Sequence, residues 1–201
     1  MSKLCKNVLF LHDTNEKDMK NRIFNTEKTL NAILYIAERL KRSDFHKVFK
    51  ILYFSDREHL IEYGRPITGD TYIAMNYGPV PSNLYDILKS VRGDSFFKDD
   101  GKFSLYFHIE GRDIIKPNIK PDLTELSKSD IKHLNNAIEK YADMSMQEIT
   151  SKSHDYAWSN APANGEIELS DIIIEAGGDY EYANFIKENF CATQIEEYEY
   201  A

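Results

Sequence analysis

Residues 53–85 read YFSDREHLIEYGRPITGDTYIAMNYGPVPSNLY, and the order of punctuation within them sets the fold. A helix runs through Leu52, Tyr53, Asp56, Arg57 and His59. It ends at Gly64, which can take the left-handed conformation just past a helix, and Pro66 cannot resume it. Gly69-Asp70 is a turn that feeds an alternating strand, Thr71 to Tyr77. Gly78-Pro79 closes that strand, and Pro81 stands where a new helix begins. Helix, loop, strand and helix so close together make a compact crossing point, and loops positioned by rigid elements are where binding groups sit.

Outward from this stretch the chain is mostly helical. Upstream, Asn25 or Thr26 can cap a helix with Leu30, Ile33, Leu34, Ala37 and Leu40 on one face. Ser43 or Asp44 caps the helix that enters the quoted stretch. Its stripe of Phe45, Val48, Phe49, Leu52 and Tyr53, broadened by Ile51 and Phe54, is apolar enough to be central to the core. Downstream, Leu84, Ile87, Leu88 and Val91 mark a third helix closed by Gly93. Phe103, Leu105, Phe107 and Ile109 alternate as a strand does, and Glu110-Gly111 turns the chain into Arg112–Lys116, with Phe107 facing Ile114. Together with Thr71–Tyr77 these make three antiparallel strands. Ser127 with Asp130 starts a fourth helix, Ser145 with Glu148 is a capping box for a fifth, and Asp179 caps a last one through Phe190. The expected class is α+β, mainly α: a bundle of five or six helices with a small antiparallel sheet or hairpin at one side.

Charge is unevenly placed. The chain of 201 residues has a formal charge of −8, yet residues 166–201 hold ten acidic residues and one lysine, so residues 1–165 are near neutrality. A near-neutral domain with an acidic end lacks the clustered Lys and Arg that a phosphate backbone demands, which argues against direct nucleic-acid binding. The only cysteines, Cys5 and Cys191, form no disulfide framework, which fits a reducing compartment. The apolar patch Val8–Leu11 is too short for a secretory leader, and no apolar run reaches the ~18 residues of a membrane span. The chain therefore reads as soluble and cytoplasmic, with no membrane association.

The pattern YFSDREH (53–59), YGRPITGDTY (63–72) and YGPVPSNLYDIL (77–88) closely resembles the Panacea domain, also called the SocA-like family. His154-Asp155 followed by Trp158 resembles the family's second signature, a histidine shortly before a tryptophan. The resemblance runs from about Thr26 to Ala161. It divides the chain into an N-terminal extension (1–23), a Panacea-like domain (24–165) and an acidic C-terminal helix and tail (166–201). Members are described mainly as antitoxins of bacterial and phage toxin–antitoxin pairs. The resemblance thus implies a cognate protein toxin as partner, neutralised by direct binding or by delivery to a AAA+ protease such as ClpXP.

The polar residues support two chemistries. Asp56 and His59 share a helix face, and His154-Asp155 could join them from a distant helix as ligands of a metal-dependent phosphohydrolase. The other reading is a buried hydrogen-bonded network in which Asp56 or His59 reaches the 154–158 segment, because buried polar groups need partners. The sequence contains no G-x-S-x-G elbow and no phosphate-cradling glycine loop, so no catalytic residue and no cofactor are assigned. The turn Tyr77-Gly78-Pro79-Val80, with Tyr53, Tyr63 and Tyr85 around it and Asp56, His59, His154 and Trp158 behind, is the candidate partner-binding site. Tyrosine suits such a role because it offers area and a polar tip at small entropic loss.

Overall fold

A computed structural model describes residues 24–95 and 98–188. The N-terminal extension 1–23, the end of the acidic segment from residue 189, and both cysteines lie outside the described residues.

Helix α1, Thr26–Ala37, is capped by the Asn25 side chain, which accepts from the Lys28 N–H, and is buried along its whole length from Thr29. Helix α2, Phe45–Tyr63, is capped by Asp44 and stopped by Gly64 at φ 70°, whose N–H bonds back to Leu60. This 19-residue helix is the axis of the protein and packs against α1 and against residues 78–81, 128–141, 146–153 and 169–175. Strands β1 (Tyr72–Met75) and β2 (Gly78–Pro81) form a tight antiparallel hairpin in which Tyr72 faces Pro81 and Met75 faces Gly78. The free edge of β1 is taken up by residues 164–167: Ala74 N–H donates to Gly165, Asn164 N–H to Ala74, and Ile167 N–H to Tyr72. Helix α3, Ser82–Arg92, follows without a capping side chain of its own. Asp70 supplies the cap from across the loop, accepting from the Asn83 and Leu84 N–H groups at 3.0 and 2.9 Å.

Strands β3 (Phe107–Glu110) and β4 (Ile114–Pro117) make a second hairpin, anchored to the α1–α2 loop by Phe45 N–H to Asp113 and Ile115 N–H to Ser43. Helices α4 (Lys128–Tyr141) and α5 (Met146–Ser153) both begin with the expected capping boxes, Ser127/Asp130 and Ser145/Glu148. Then come α6 (Tyr156–Asn160), α7 (Leu169–Glu175) and α8 (180–188). The six anticipated helices form, and α6 and α7 are two short ones beside them. The class is α+β and mainly helical, with two small antiparallel sheets.

Two expectations about strands are corrected. The three-stranded sheet does not form, because Asn76-Tyr77 reverses the chain at once and β1 takes Gly78–Pro81 as its partner. The second hairpin turns over three residues, Gly111 to Asp113, so Phe107 faces Pro117 and Ile114 faces Glu110.

Candidate functional site

Lys50 lies on the buried face of α2, with none of its surface exposed. Its Nζ donates to the Pro79 carbonyl at 2.8 Å, and among the described residues no carboxylate comes within ion-pairing distance of it. Burial pulls this ammonium down from its ordinary 10.5 to about 7. Gly78 sits directly above at φ 94°, where a Cβ would stand 2.3 Å from Ser153 Oγ and 2.8 Å from Lys50 Cε. The Tyr77-Gly78-Pro79 turn is therefore pressed onto Lys50 and the end of α5, and only glycine fits between them.

Two histidines flank this contact. His46, on α2, meets Thr150 Oγ1 with Nε2 at 3.0 Å. His154, at the end of α5, stacks on Trp158 with ring centroids 3.7 Å apart and planes within 8°. Burial first, and the Lys50 charge second, hold both imidazoles below their usual range. Trp158 Nε1 donates to the Met75 carbonyl at 3.0 Å, which fixes the stack against the hairpin. Tyr77 crowns the turn and is 63% exposed.

The other residues of the first signature serve the interior. The buried Asp56 carboxylate accepts from the N–H groups of Ile67 and Thr68 at 2.7 and 3.2 Å, and from the hydroxyls of Thr68 and Tyr72 at 2.8 Å each. Burial pushes its carboxyl upward, and those four donors oppose the shift. His59 places Nδ1 2.7 Å from the Arg65 carbonyl and Nε2 3.0 Å from Ser129 Oγ and 3.1 Å from Asp130 Oδ1. Asp130 also pairs with Lys28 at 2.7 Å and Arg65 at 3.2 Å. Burial works to raise the Asp130 carboxyl, but hydrogen bonds from His59, Lys28 and Ser127 outweigh it and hold it well below the usual carboxylate range.

The two signatures do meet, through different residues from those expected. Tyr53 Oη donates to Asp155 Oδ2 at 2.8 Å, and Arg57 Nη1 reaches the same oxygen at 3.1 Å and Glu175 at 3.4 Å. Asp155 also caps α6 by accepting from the Trp158 N–H. Residues four apart share one helix face, so Tyr53 and Arg57 look toward α6 while Asp56, between them in sequence, looks toward the 67–72 loop. The expectation that Asp56 or His59 approaches residues 154–158 is corrected accordingly. The phosphohydrolase constellation is corrected too: Asp56, His59, His154 and Asp155 are committed to separate clusters. Among the described residues no group of three or more His, Cys, Asp or Glu side chains is placed to hold a metal.

Of the candidate partner-binding residues, Tyr77, Gly78, Pro79, Val80, His154 and Trp158 come together around the hairpin. Tyr63, 46% exposed, lies at the far end of α2 against His59 and His133. Tyr85 packs edge-on against Phe49. Gly78, Pro79 and Val80 are buried within the hairpin, while Tyr53, Asp56 and His59 are buried on α2 and serve the interior.

The model of the family described as Antitoxin SocA-like, Panacea domain matches residues 48–159, more than half of the chain. The chain belongs to this family. No curated protein and no solved structure matches it. The matched Panacea domain begins inside α2 and ends in α6, so it contains Lys50, the hairpin, Ser153 and the His154–Trp158 stack, while α1 lies outside it. Among the described residues no helix is long and apolar enough to cross a membrane.

Sequence reasoning missed Lys50 and Ser153. A signal for Lys50 is present, since Lys47 and Lys50 interrupt the apolar run of residues 45–54. Within the Panacea domain Lys50 is a source of instability, because its protonated form is penalised in the fold and not in the unfolded chain. That penalty is fully present below about pH 7 and fades as pH rises toward 10.5. Lys50→Met, similar in volume, should stabilise the protein at neutral pH by ~1–4 kcal/mol. It should also flatten the rise in stability above neutrality, which for one such group is at most ~1.4 kcal/mol per pH unit. Urea unfolding at about pH 7 and about pH 9.5 measures both; an unchanged slope would mean that Lys50 does not titrate in this range.

Proposed function

We propose that the protein is an antitoxin that neutralises a cognate protein toxin by direct binding through the hairpin tip and the adjoining His154–Trp158 stack, in the cytoplasm and without a cofactor or catalysis. The observation that carries this reading is Tyr77: a large aromatic exposed at the apex of a turn that Gly78, Pro79, Lys50 and Trp158 hold in place. A rigid aromatic anchor loses little entropy on docking, and such residues dominate protein interfaces. The buried polar groups of the first signature support the same reading, because each is already satisfied within the fold and presents no reactive atom to a substrate.

Co-expression with the product of the adjoining reading frame tests this. The expected result is a co-purifying complex, rescue of growth from that product's toxicity, and at least a tenfold weaker complex for Tyr77→Ala (about 1.4 kcal/mol or more). The melting temperature of Tyr77→Ala should be nearly unchanged, because its side chain is exposed. Rescue that persists without any complex and depends on a cellular protease would favour delivery to that protease. Absence of both complex and rescue would overturn the antitoxin reading.

A further inference from the structure

Lys50 stands out in this fold. A buried charge is ordinarily paired, and each unpaired one calls for an explanation. The half-buried Lys28 and Arg57 pair with Asp130 at 2.7 Å and Asp155 at 3.1 Å, and Lys47, at the rim of the core, donates to the Tyr141 and Met144 carbonyls with only 9% of its surface exposed. Lys50 has a neutral carbonyl as its hydrogen-bond partner, and the titratable groups that face it are two further bases. His46 lies one turn earlier on α2, with Asp44 and Lys47 partly offsetting each other around it. His154 faces it from the end of α5, and Asp155 beside His154 is bound to Arg57 and Tyr53. His154 Nε2 is buried with no hydrogen-bond partner, while the ring is also held by the Asn76 backbone. A chain of net charge −8 thus carries a local positive pole just beneath the exposed Tyr77. The apolar interior screens that pole poorly, so its field reaches the surface at the turn.

We propose that the surface made by Asn76-Tyr77 and the His154–Trp158 stack receives an acidic segment of the protein partner, whose carboxylate supplies the counter-charge that Lys50 lacks within the fold. This rests on the antitoxin reading and names the chemistry that the toxin presents. The apolar body of the segment packs on Tyr77 and Trp158, and its carboxylate lies over the Lys50–His154 pole. Charge complementarity of this kind sets the register of a complex and suppresses wrong partners.

The bound carboxylate favours the protonated forms of Lys50 and His154, so complex formation takes up protons. Affinity is then highest below about pH 7, where Lys50 is already protonated in the free protein, and falls as pH rises above that value, by at most about tenfold per pH unit for each proton.

The test uses the full-length protein and the co-expressed product of the adjoining reading frame, titrated by calorimetry between about pH 6.5 and about pH 8.5. Each titration is run in two buffers of different ionisation enthalpy. The expected results are proton uptake near neutrality for the wild type, at least tenfold weaker binding and reduced uptake in Lys50→Met, and one Asp→Asn or Glu→Gln change in the partner that weakens binding to the wild type more than binding to Lys50→Met. Should Lys50→Met not fold, His154→Gln and the wild-type uptake decide the matter without it. A complex that forms with no proton uptake, or whose affinity depends on a partner lysine or arginine at this surface, overturns the inference and leaves the antitoxin reading standing. No complex and no rescue at any pH overturns both.

Discussion

Gly78→Ala should lower stability by roughly 2–5 kcal/mol. Two costs add at this position. At φ 94° an L side chain meets its own backbone, at ~1–2 kcal/mol. The new Cβ also lands 2.3 Å from Ser153 Oγ and 2.8 Å from Lys50 Cε, and overpacking of that kind costs ~1–3 kcal/mol. For a chain of this size the melting temperature falls by about 5–15 °C. Gly93 is the internal control, because its φ is 87° and nothing stands within 4 Å of a Cβ there. Gly93→Ala should show the backbone cost alone. Part of the Gly78→Ala loss should be recovered in a Ser153→Ala background, which removes the closest atom. Equal losses at the two glycines would show that the turn is not pressed onto α5 as described.

Asp56→Ala should be at least as damaging. The carboxylate is the sole acceptor drawn on by the Ile67 and Thr68 amides and by the Tyr72 hydroxyl, all within the core. Each buried donor left unsatisfied costs ~1–3 kcal/mol, so a loss on the order of 4 kcal/mol or more is expected, against a total of ~5–15 kcal/mol for a typical domain. Asp56→Asn keeps the shape but turns an amide N–H₂ toward groups that are themselves donors, and should fall between alanine and wild type. Urea denaturation followed by circular dichroism gives the order of the three. Losses below ~1 kcal/mol for both variants would mean that the 67–72 loop is held by something other than Asp56.

Much of this was legible in the sequence. The six longer helices followed from apolar spacing and from caps that act within a few residues: Asn25, Asp44, Ser127, Ser145 and Asp179 all cap as local rules require. Gly64 and Gly93 end their helices in the left-handed conformation for the same local reason. What escaped were relations set by rotation and by distant packing. The position of Asp56 on α2 is legible, but the loop that α2 turns it toward is not, because Ile67, Thr68 and Tyr72 reach it only once the chain has folded back. The choice of Gly78–Pro79 as strand rather than connector was settled by Lys50 and Ser153 pressing from 28 and 75 residues away in sequence. The Asp70 cap on α3 has no signature at all, because the capping residue stands twelve positions before the helix.

The hairpin has one further consequence, concerning how a partner can be recognised. A two-stranded sheet ordinarily invites a third strand, since an exposed edge offers a row of free amides and carbonyls for backbone pairing. Here one side is occupied by residues 164–167. The other offers no amide at Pro79 or Pro81, and the Pro79 carbonyl is engaged by Lys50. Strand addition is thereby closed on both sides. On the proposed antitoxin reading, discrimination among partners would then rest on side chains at the tip, where a single residue such as Tyr77 can change without disturbing the scaffold that carries it.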